Sequence, residues 1–468
     1  MLLSENLLSK IINKGLSCGA DFCEVYAEES LAYQMEIKDS KTTYISGKDS
    51  GIGIRLLYGN EELYTYTNNF NEKNLIELVE QLSFLKKRKL QQKLLDQTSF
   101  TPTFISEFPN IYLDKDLEGK KNLLQKIDKN LRSEHALISQ VLLSLIGRQK
   151  QVQIANSEGL LSFDFRPYHF FKAISIAEHQ GEKESGHATD GIAGDQSFFS
   201  EDTLNELTIK SGKQALKNLK AEKAPAGVFP VIINSGFGGV IFHEACGHGL
   251  ETTSVEGGKS VFADKLDQKI SNSCVTAYDD GTLKGKYGFI NSDDEGMKAQ
   301  KTTLIEKGVL KNYMVDRLGF QKTGYKKTGS ARRQNYKSPP ASRMRNTYIG
   351  AGESNLEDMI KDIDEGLFAE SLGGGSVTPG TGNYNFAVTE ARWIKKGKLG
   401  TPVKGASLIG NGLETLSKIQ KVGKDLKLSP GHCGSISGWV PVTVGQPPIL
   451  VSELTVGGQS KAGEGSFK

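Results

Sequence analysis

From Ala221 to the end of the chain glycine becomes dense, and short strand-like segments alternate with short helices. That texture commits the second half of the protein to a β-rich build with close backbone approaches, because glycine permits tight bends but weakens helix interiors. Gly373-Gly374-Gly375 and the stretch from Gly380 to Gly382 read as loops or tight bends beside strands. The first 220 residues have a different pattern. Leu2, Leu3, Leu7, Leu8, Ile11 and Ile12 recur at helical spacing. Strand patterns follow at 21–27, 33–38, 51–58 and 62–67, then a helix at 71–87 that ends in Lys86-Lys87-Arg88-Lys89, read as a solvated helix end. Residues 97–110, with Pro102 and Pro109, read as a linker. A helix at 116–132, strands at 137–146, 151–155, 160–165 and 170–177, and a helix at 201–219 complete this half. At 468 residues the chain is too long for one compact core. The expectation is an α+β fold with mixed, largely antiparallel sheets. Its divisions are an N-terminal α/β domain (1–100), a middle α+β domain (111–220) and a C-terminal domain (221–468).

A net charge of +3 is small for this length and gives no reason to expect a nucleic-acid or acidic-membrane partner. No apolar run approaches the ~20 residues of a membrane helix. Glu5, Asn6, Lys10 and Lys14 interrupt the first apolar stretch, so it reads as an amphipathic helix and not as a signal peptide. Cys18, Cys23, Cys246, Cys274 and Cys433 are few, odd in number and scattered, as in a reduced, cytoplasmic protein. His135, His169, His179 and His187 lack metal-ligand spacing and read as surface or core histidines.

The chemistry concentrates after a strand pattern at Phe229–Ile233. Asn234-Ser235 can cap a following helix that carries His243-Glu244-Ala245-Cys246-Gly247-His248. Gly236-Phe237-Gly238-Gly239-Val240-Ile241 lacks the third glycine of a dinucleotide-binding loop. A His-Glu pair with a second His about one turn later is the zincin arrangement, with imidazoles as ligands and the carboxylate as base. Here the spacing is one residue too long. Four residues turn a helix by about 400°, five by about 500°, leaving the side chains ~140° apart. Either a wide turn absorbs the extra residue, or the helix ends near Gly247 and His248 reaches back. The third ligand has four candidates: Glu251, Cys246, Cys433 and His432. Cys433 lies in Pro430-Gly431-His432-Cys433-Gly434-Ser435, which reads as a loop.

At these residues the sequence resembles the TldD/PmbA metallopeptidase family, on its catalytic, TldD-like side. His243 through Glu251 matches His-Glu-Ala-x-Gly-His-x-x-Glu. The resemblance continues through 278–281, 293–296, 332–336, 343–348, Lys404-Gly405-Ala406 with Gly410, and 441–447. It implies a multi-domain architecture whose C-terminal domain carries the metal site. It implies a zinc peptidase, with iron or another divalent metal as alternatives, acting on short or unfolded peptides. It further implies His243, His248 and Cys433 as ligands, Glu244 as base, and a dimer with a motif-less relative or with itself around an inner chamber. Around the cysteine the family usually has Gly-x-Cys-Gly-Lys-x-Gly-Gln. Here Gly431 and Cys433-Gly434 remain, but Ser435 replaces the Lys and Ser437-Gly438-Trp439 the rest. Two other readings compete: a non-catalytic or regulatory subunit of such a complex, and a thiol hydrolase using Cys433 with His432. Arg332, Arg333 and Arg343 read equally well as substrate contacts and as ion-pair partners.

Overall fold

The computed structural model describes residues 2–84, 100–105, 116–195, 199–378 and 380–458. The fold is α+β. The first sheet is seven-stranded. It comprises β1 (Phe22–Lys38), β2 (Lys41–Tyr58), β3 (Glu61–Thr67), β4 (Thr101–Ile105), β5 (Ile138–Asn156), β6 (Leu160–His179) and β7 (Glu182–Ala193). The order is β3-β2-β1-β5-β6-β4, with β7 also on β6. β1 pairs with β5 from Glu24↔Asn156 to Lys38↔Leu142, so residues from before 100 and after 111 form one ladder.

Several pairs of expected short strands are single long ones. The patterns at 21–27 and 33–38 belong to β1, those at 137–146 and 151–155 to β5, and those at 160–165 and 170–177 to β6. Polar residues in the middle, such as Ser30 and Lys150, are buried in pairing and in ion pairs and do not end the strand. Within the expected linker, Thr101–Ile105 runs parallel to β6. The rest of that linker is outside the described residues, apart from Phe100, and so is Lys86–Lys89.

Helices cover one face of the sheet. α1 (Glu5–Ser17) and α2 (Glu72–Ser83) bury Leu8, Ile11, Ile12, Leu75 and Val79 against Val25, Ala27 and Ile54. α3 (Leu117–Glu134) and α4 (Glu201–Leu219) bury Leu124, Ile127, Leu131 and Leu204 against Met35, Ile37, Leu143 and Phe171. These helices start on side-chain caps from Ser4, Asn71, Asp116 and Ser200. Side chains alternate along a strand, so Glu24, Tyr26 and Glu28 project from the other face of β1. There they meet the C-terminal half: Tyr26 packs with Tyr336, and Glu24 pairs with Arg333.

The C-terminal half contains an eight-stranded and a six-stranded sheet. In the first, Gly227–Ile233 lies between Glu365–Thr378, which runs parallel, and Ile449–Gly457, which runs antiparallel. In the second, Asn346–Ile349 runs parallel to Gly438–Gln446, which forms a hairpin with Lys427–Ser435. A short helix, α5 (Val240–Ala245), has Val240, Ile241, Phe242 and Ala245 in one core with Val231, Leu408, Ile305, Val442 and Val444 from the two sheets. No helix among the described residues is long and apolar enough to cross a membrane.

Candidate metal centre

The strand Gly227–Ile233 leads into a 3-10 turn at Gly236–Gly239 and then α5. Ser235 takes the N-cap backbone conformation, but its side chain makes no capping bond. α5 ends at Ala245. Cys246 breaks the helical geometry at φ −123, ψ −50, and a new 3-10 turn runs from Gly247 to Leu250. The extra residue between the histidines is thus accommodated by a break. The break swings His248 back, and the two imidazole centroids lie 5.4 Å apart at 82°. Gly247 packs closely here: a Cβ would stand 2.2 Å from the Met344 sulfur and would force that side chain to shift.

Cys433 reaches the same place from a strand. The expected loop at 430–435 is the end of Lys427–Ser435, whose Cys433 lies opposite Val440. Trp439 to Val444 supplies a β-branched partner strand that pairs Pro430 and the glycines into a ladder. Adjacent strand residues face opposite ways. Cys433 therefore turns inward while His432 turns to Phe170 and Tyr287, whose hydroxyl lies 3.0 Å from His432 Nε2. The two do not form a catalytic pair.

The candidate donor atoms of His243, His248 and Cys433 lie within 4.8 Å of one another, and all three residues are buried. Cys433 Sγ is 3.3 Å from His248 Nε2. Burial would push the Cys433 thiol up, but His243 and His248 beside it hold it well below the usual thiol range. Burial would lower His248, but the Glu251 carboxylate and Cys433 raise it well above the usual imidazole range. His243 Nδ1 is buried without a hydrogen-bond partner. Two imidazoles, one of them with a buried ring nitrogen that no hydrogen bond satisfies, and one thiolate-prone sulfur fit an ion with bonds of about 2.0–2.3 Å.

Glu244 keeps 28% of its side chain exposed, and its Oε2 is 3.6 Å from His248 Nε2. It stands on the open side of a buried cluster. Glu251 Oε2 is 3.1 Å from His248 Nδ1, the ring nitrogen turned away from Cys433. Cys246 packs in the apolar core, and burial pushes its thiol up. Glu251, Cys246 and His432 thus lie outside the three-residue cluster.

The arginines are ion-pair and backbone partners. Arg332 donates to the Met344 and Pro441 carbonyls, and Arg333 pairs with Glu24. Arg343 donates to the Cys433 carbonyl at 2.6 Å, a link with no signal in the sequence beyond the Arg343-Met344-Arg345 spacing. The glycine tip at 380–382 abuts the end of α5, where a Gly382 Cβ would lie 3.1 Å from the Ala245 carbonyl.

The arrangement can be set beside known proteins. PmbA/TldA metallopeptidase domain models match in order: domain 1 over residues 23–85, the central domain over 111–219 and the C-terminal domain over 226–458. A metalloprotease TldD homolog from Buchnera aphidicola (subsp. Schizaphis graminum) is 36% identical over 426 residues, spanning 88% of this chain and 87% of its own. A zinc metalloprotease TldD homolog from Saccharolobus solfataricus is 26% identical across 96% of this chain and 99% of its own. The fold is shared with the crystal structure of TldE from Thermococcus kodakarensis. Its TM-score is 0.72 at 18% identity, over 96% of this chain and 99% of that one. The matches run through both halves of the chain and across the His-Glu segment and the Cys433 hairpin, and this chain belongs to the PmbA/TldD metallopeptidase family.

Proposed function

We propose that the protein is a zinc-dependent peptidase that hydrolyses peptide bonds in short or unfolded peptides. The observation that carries this reading is the buried His243–His248–Cys433 cluster with the part-exposed Glu244 carboxylate at its open side. His243, His248 and Cys433 are the proposed ligands. Bound zinc would supply Lewis acidity toward a water and a carbonyl oxygen. Three protein ligands are typical of a catalytic zinc, since a structural one is closed by four. The zinc metalloprotease relative from Saccharolobus solfataricus supports zinc over iron.

Glu244 acts as general base: it takes the proton of the attacking water and delivers it to the leaving amine. Glu251 orients the His248 ring by accepting at Nδ1, which leaves Nε2 directed at Cys433 and the ion. Peptides are proposed to bind as an added strand on an edge of the C-terminal sheet, with the glycine-rich segments 373–376 and 380–383 as walls, since backbone pairing needs no particular side chain. A dimer with a motif-less relative, or with a second copy, closes the chamber; the likeness to a TldE fold supports such a relative. A cytoplasmic location agrees with five free cysteines.

The test is a pair of variants. Glu244→Gln is expected to retain zinc and the parental melting temperature while peptide cleavage falls by orders of magnitude. Cys433→Ser is expected to lose zinc in metal analysis. Cleavage at the parental rate by Glu244→Gln, or undiminished zinc in Cys433→Ser, would overturn the reading.

A further inference from the structure

The segment Ser342-Arg343-Met344 touches the His248 segment with each of its side chains. Ser342 Oγ accepts from the Thr252 backbone N–H at 3.1 Å. The Met344 sulfur lies against Gly247. Arg343 Nε stands 3.9 Å from Glu251 Oε1, and both atoms are buried without a hydrogen-bond partner. The guanidinium also grips the other half of the cluster. Its Nη2 donates to the Cys433 carbonyl at 2.6 Å, and its Nη1 to Ser437 Oγ at 2.9 Å and the Gly438 carbonyl at 2.8 Å.

Arg343 thus pins the hairpin that carries Cys433, while its charge faces the carboxylate that orients His248. Its side chain is completely buried, so it offers nothing to solvent. Arginine alone presents several donors in a rigid fork; a lysine has one point charge and cannot hold both sides of a hairpin turn. Arg345 serves as a contrast. It is equally buried but pairs with Asp279 and with the Thr328 and Gly329 carbonyls, and it touches no member of the cluster.

We infer that Arg343 is a positioning residue that sets the geometry of two candidate metal ligands at once, Cys433 through its backbone and His248 through Glu251. This rests on the metal reading above. It assigns to one arginine the job of keeping two segments, 185 residues apart in sequence, in register for a common ion. Misplacing either ligand weakens the ion's hold, and loss of such outer contacts typically costs 10–100-fold in metal affinity.

The experiment loads the full-length protein with Co²⁺, whose thiolate-to-metal absorption reports a bound cysteine. Affinity is read by competition with a chelator. Arg343→Lys is expected to weaken the absorption band and lower affinity about 10–100-fold. Glu251→Gln is expected to lower affinity but keep the band, because it acts on the imidazole side only. Arg345→Lys is expected to lower the melting temperature and leave the band intact, the behaviour of a purely structural arginine. Should Arg343→Lys fail to fold, Ser437→Ala removes one arm of the same grip, and a weaker band at the parental melting temperature supports the inference. A parental band and affinity in Arg343→Lys overturn it, as does an unchanged band in Ser437→Ala when Arg343→Lys does not fold. Absence of the band in the unaltered cobalt protein would instead overturn cysteine ligation itself, and the inference with it.

Discussion

Asp316 holds a carboxyl group where water barely reaches. Burial, and then the nearby Glu295, raise its pKa to about 7, with Arg55 pulling the other way. The folded protein therefore binds this proton more tightly than the unfolded chain does. Its stabilising contribution is complete below the ordinary aspartate range and is lost as pH rises through about 7. Each pKa unit of such a shift corresponds to about 1.4 kcal/mol. Asp316 also caps the helix Arg317–Thr323 through Gly319 N–H and accepts from Thr252 Oγ1. Asparagine can keep the cap. The denaturation midpoint of Asp316→Asn should therefore fall less than the parent's between pH 5.5 and 8, as a pH series of urea melts would read. A difference of zero across that range would remove Asp316 from the account. Asp316 was not legible as special in the sequence, and Arg343 was legible only as one of three arginines that read equally well as substrate contacts and as ion-pair partners. An aspartate or arginine looks the same whether it caps, pairs or orients, and only the burial of its partners decides. His243, Glu244 and His248 were legible as candidates because the His-Glu pattern and the family resemblance both draw attention to one short segment.

The element that matters most is α5, only six residues long and fixed at both ends by backbone contacts. At its start a Gly239 Cβ would stand 2.5 Å from the Gly445 backbone; at its end a Gly412 Cβ would stand 2.3 Å from the Ala245 carbonyl. Neither obstacle is a side-chain tip that can swing away. Gly412→Ala should cost about 1–3 kcal/mol through overpacking and also weaken zinc binding, because the displaced turn of α5 carries His243. Thermal melts with and without chelator would check it: a loss of stability that leaves zinc affinity unchanged would separate the clamp from the site. An irregularity between the histidines was predictable from the five-residue spacing, which leaves side chains of a regular helix ~140° apart, but the choice of a break over a wide turn was not. The strand around Cys433 was not. Pro430, Gly431 and Gly434 carry loop chemistry, and only pairing with Trp439–Val444 makes them a ladder. The long strands β1, β5 and β6 were seen as fragments for a related reason. Their buried charged residues interrupt the apolar alternation, and the compensating partners come from distant parts of the chain.

Those partners join the two halves of the molecule. Glu24 on β1 pairs with Arg333 at 2.6 Å with neither side chain exposed, and Arg166 on β6 pairs with Asp294 at 2.6 Å. Glu24→Gln leaves Arg333 buried opposite a neutral group, and breaking a buried pair costs about 3–5 kcal/mol. The variant should melt well below the parent, and double substitution with Arg333→Met should recover part of the loss. Equal stability of parent and Glu24→Gln would show the pair to be replaceable by its neighbours Tyr64 and the Asp294 carbonyl, which Arg333 also contacts. The α+β class and the join between halves follow from different information. Class is written in local periodicity, whereas the join depends on charges 309 and 128 residues apart that no window of sequence brings together.

His248 and Cys433 are 185 residues apart, and that separation has a consequence for the birth of the protein. A ribosome adding about 5–20 residues per second needs roughly 10–40 s to travel between them. Throughout that interval the emerging chain holds His243 and His248 without Cys433, so the proposed centre stays incomplete. Ribosome-bound chains arrested before Lys427 are expected to take up no zinc at His243 and His248 in metal analysis, and zinc-loaded arrested chains would contradict this. If His243, His248 and Cys433 hold the ion as proposed, the order of synthesis leaves the centre incomplete until the hairpin carrying Cys433 has been made.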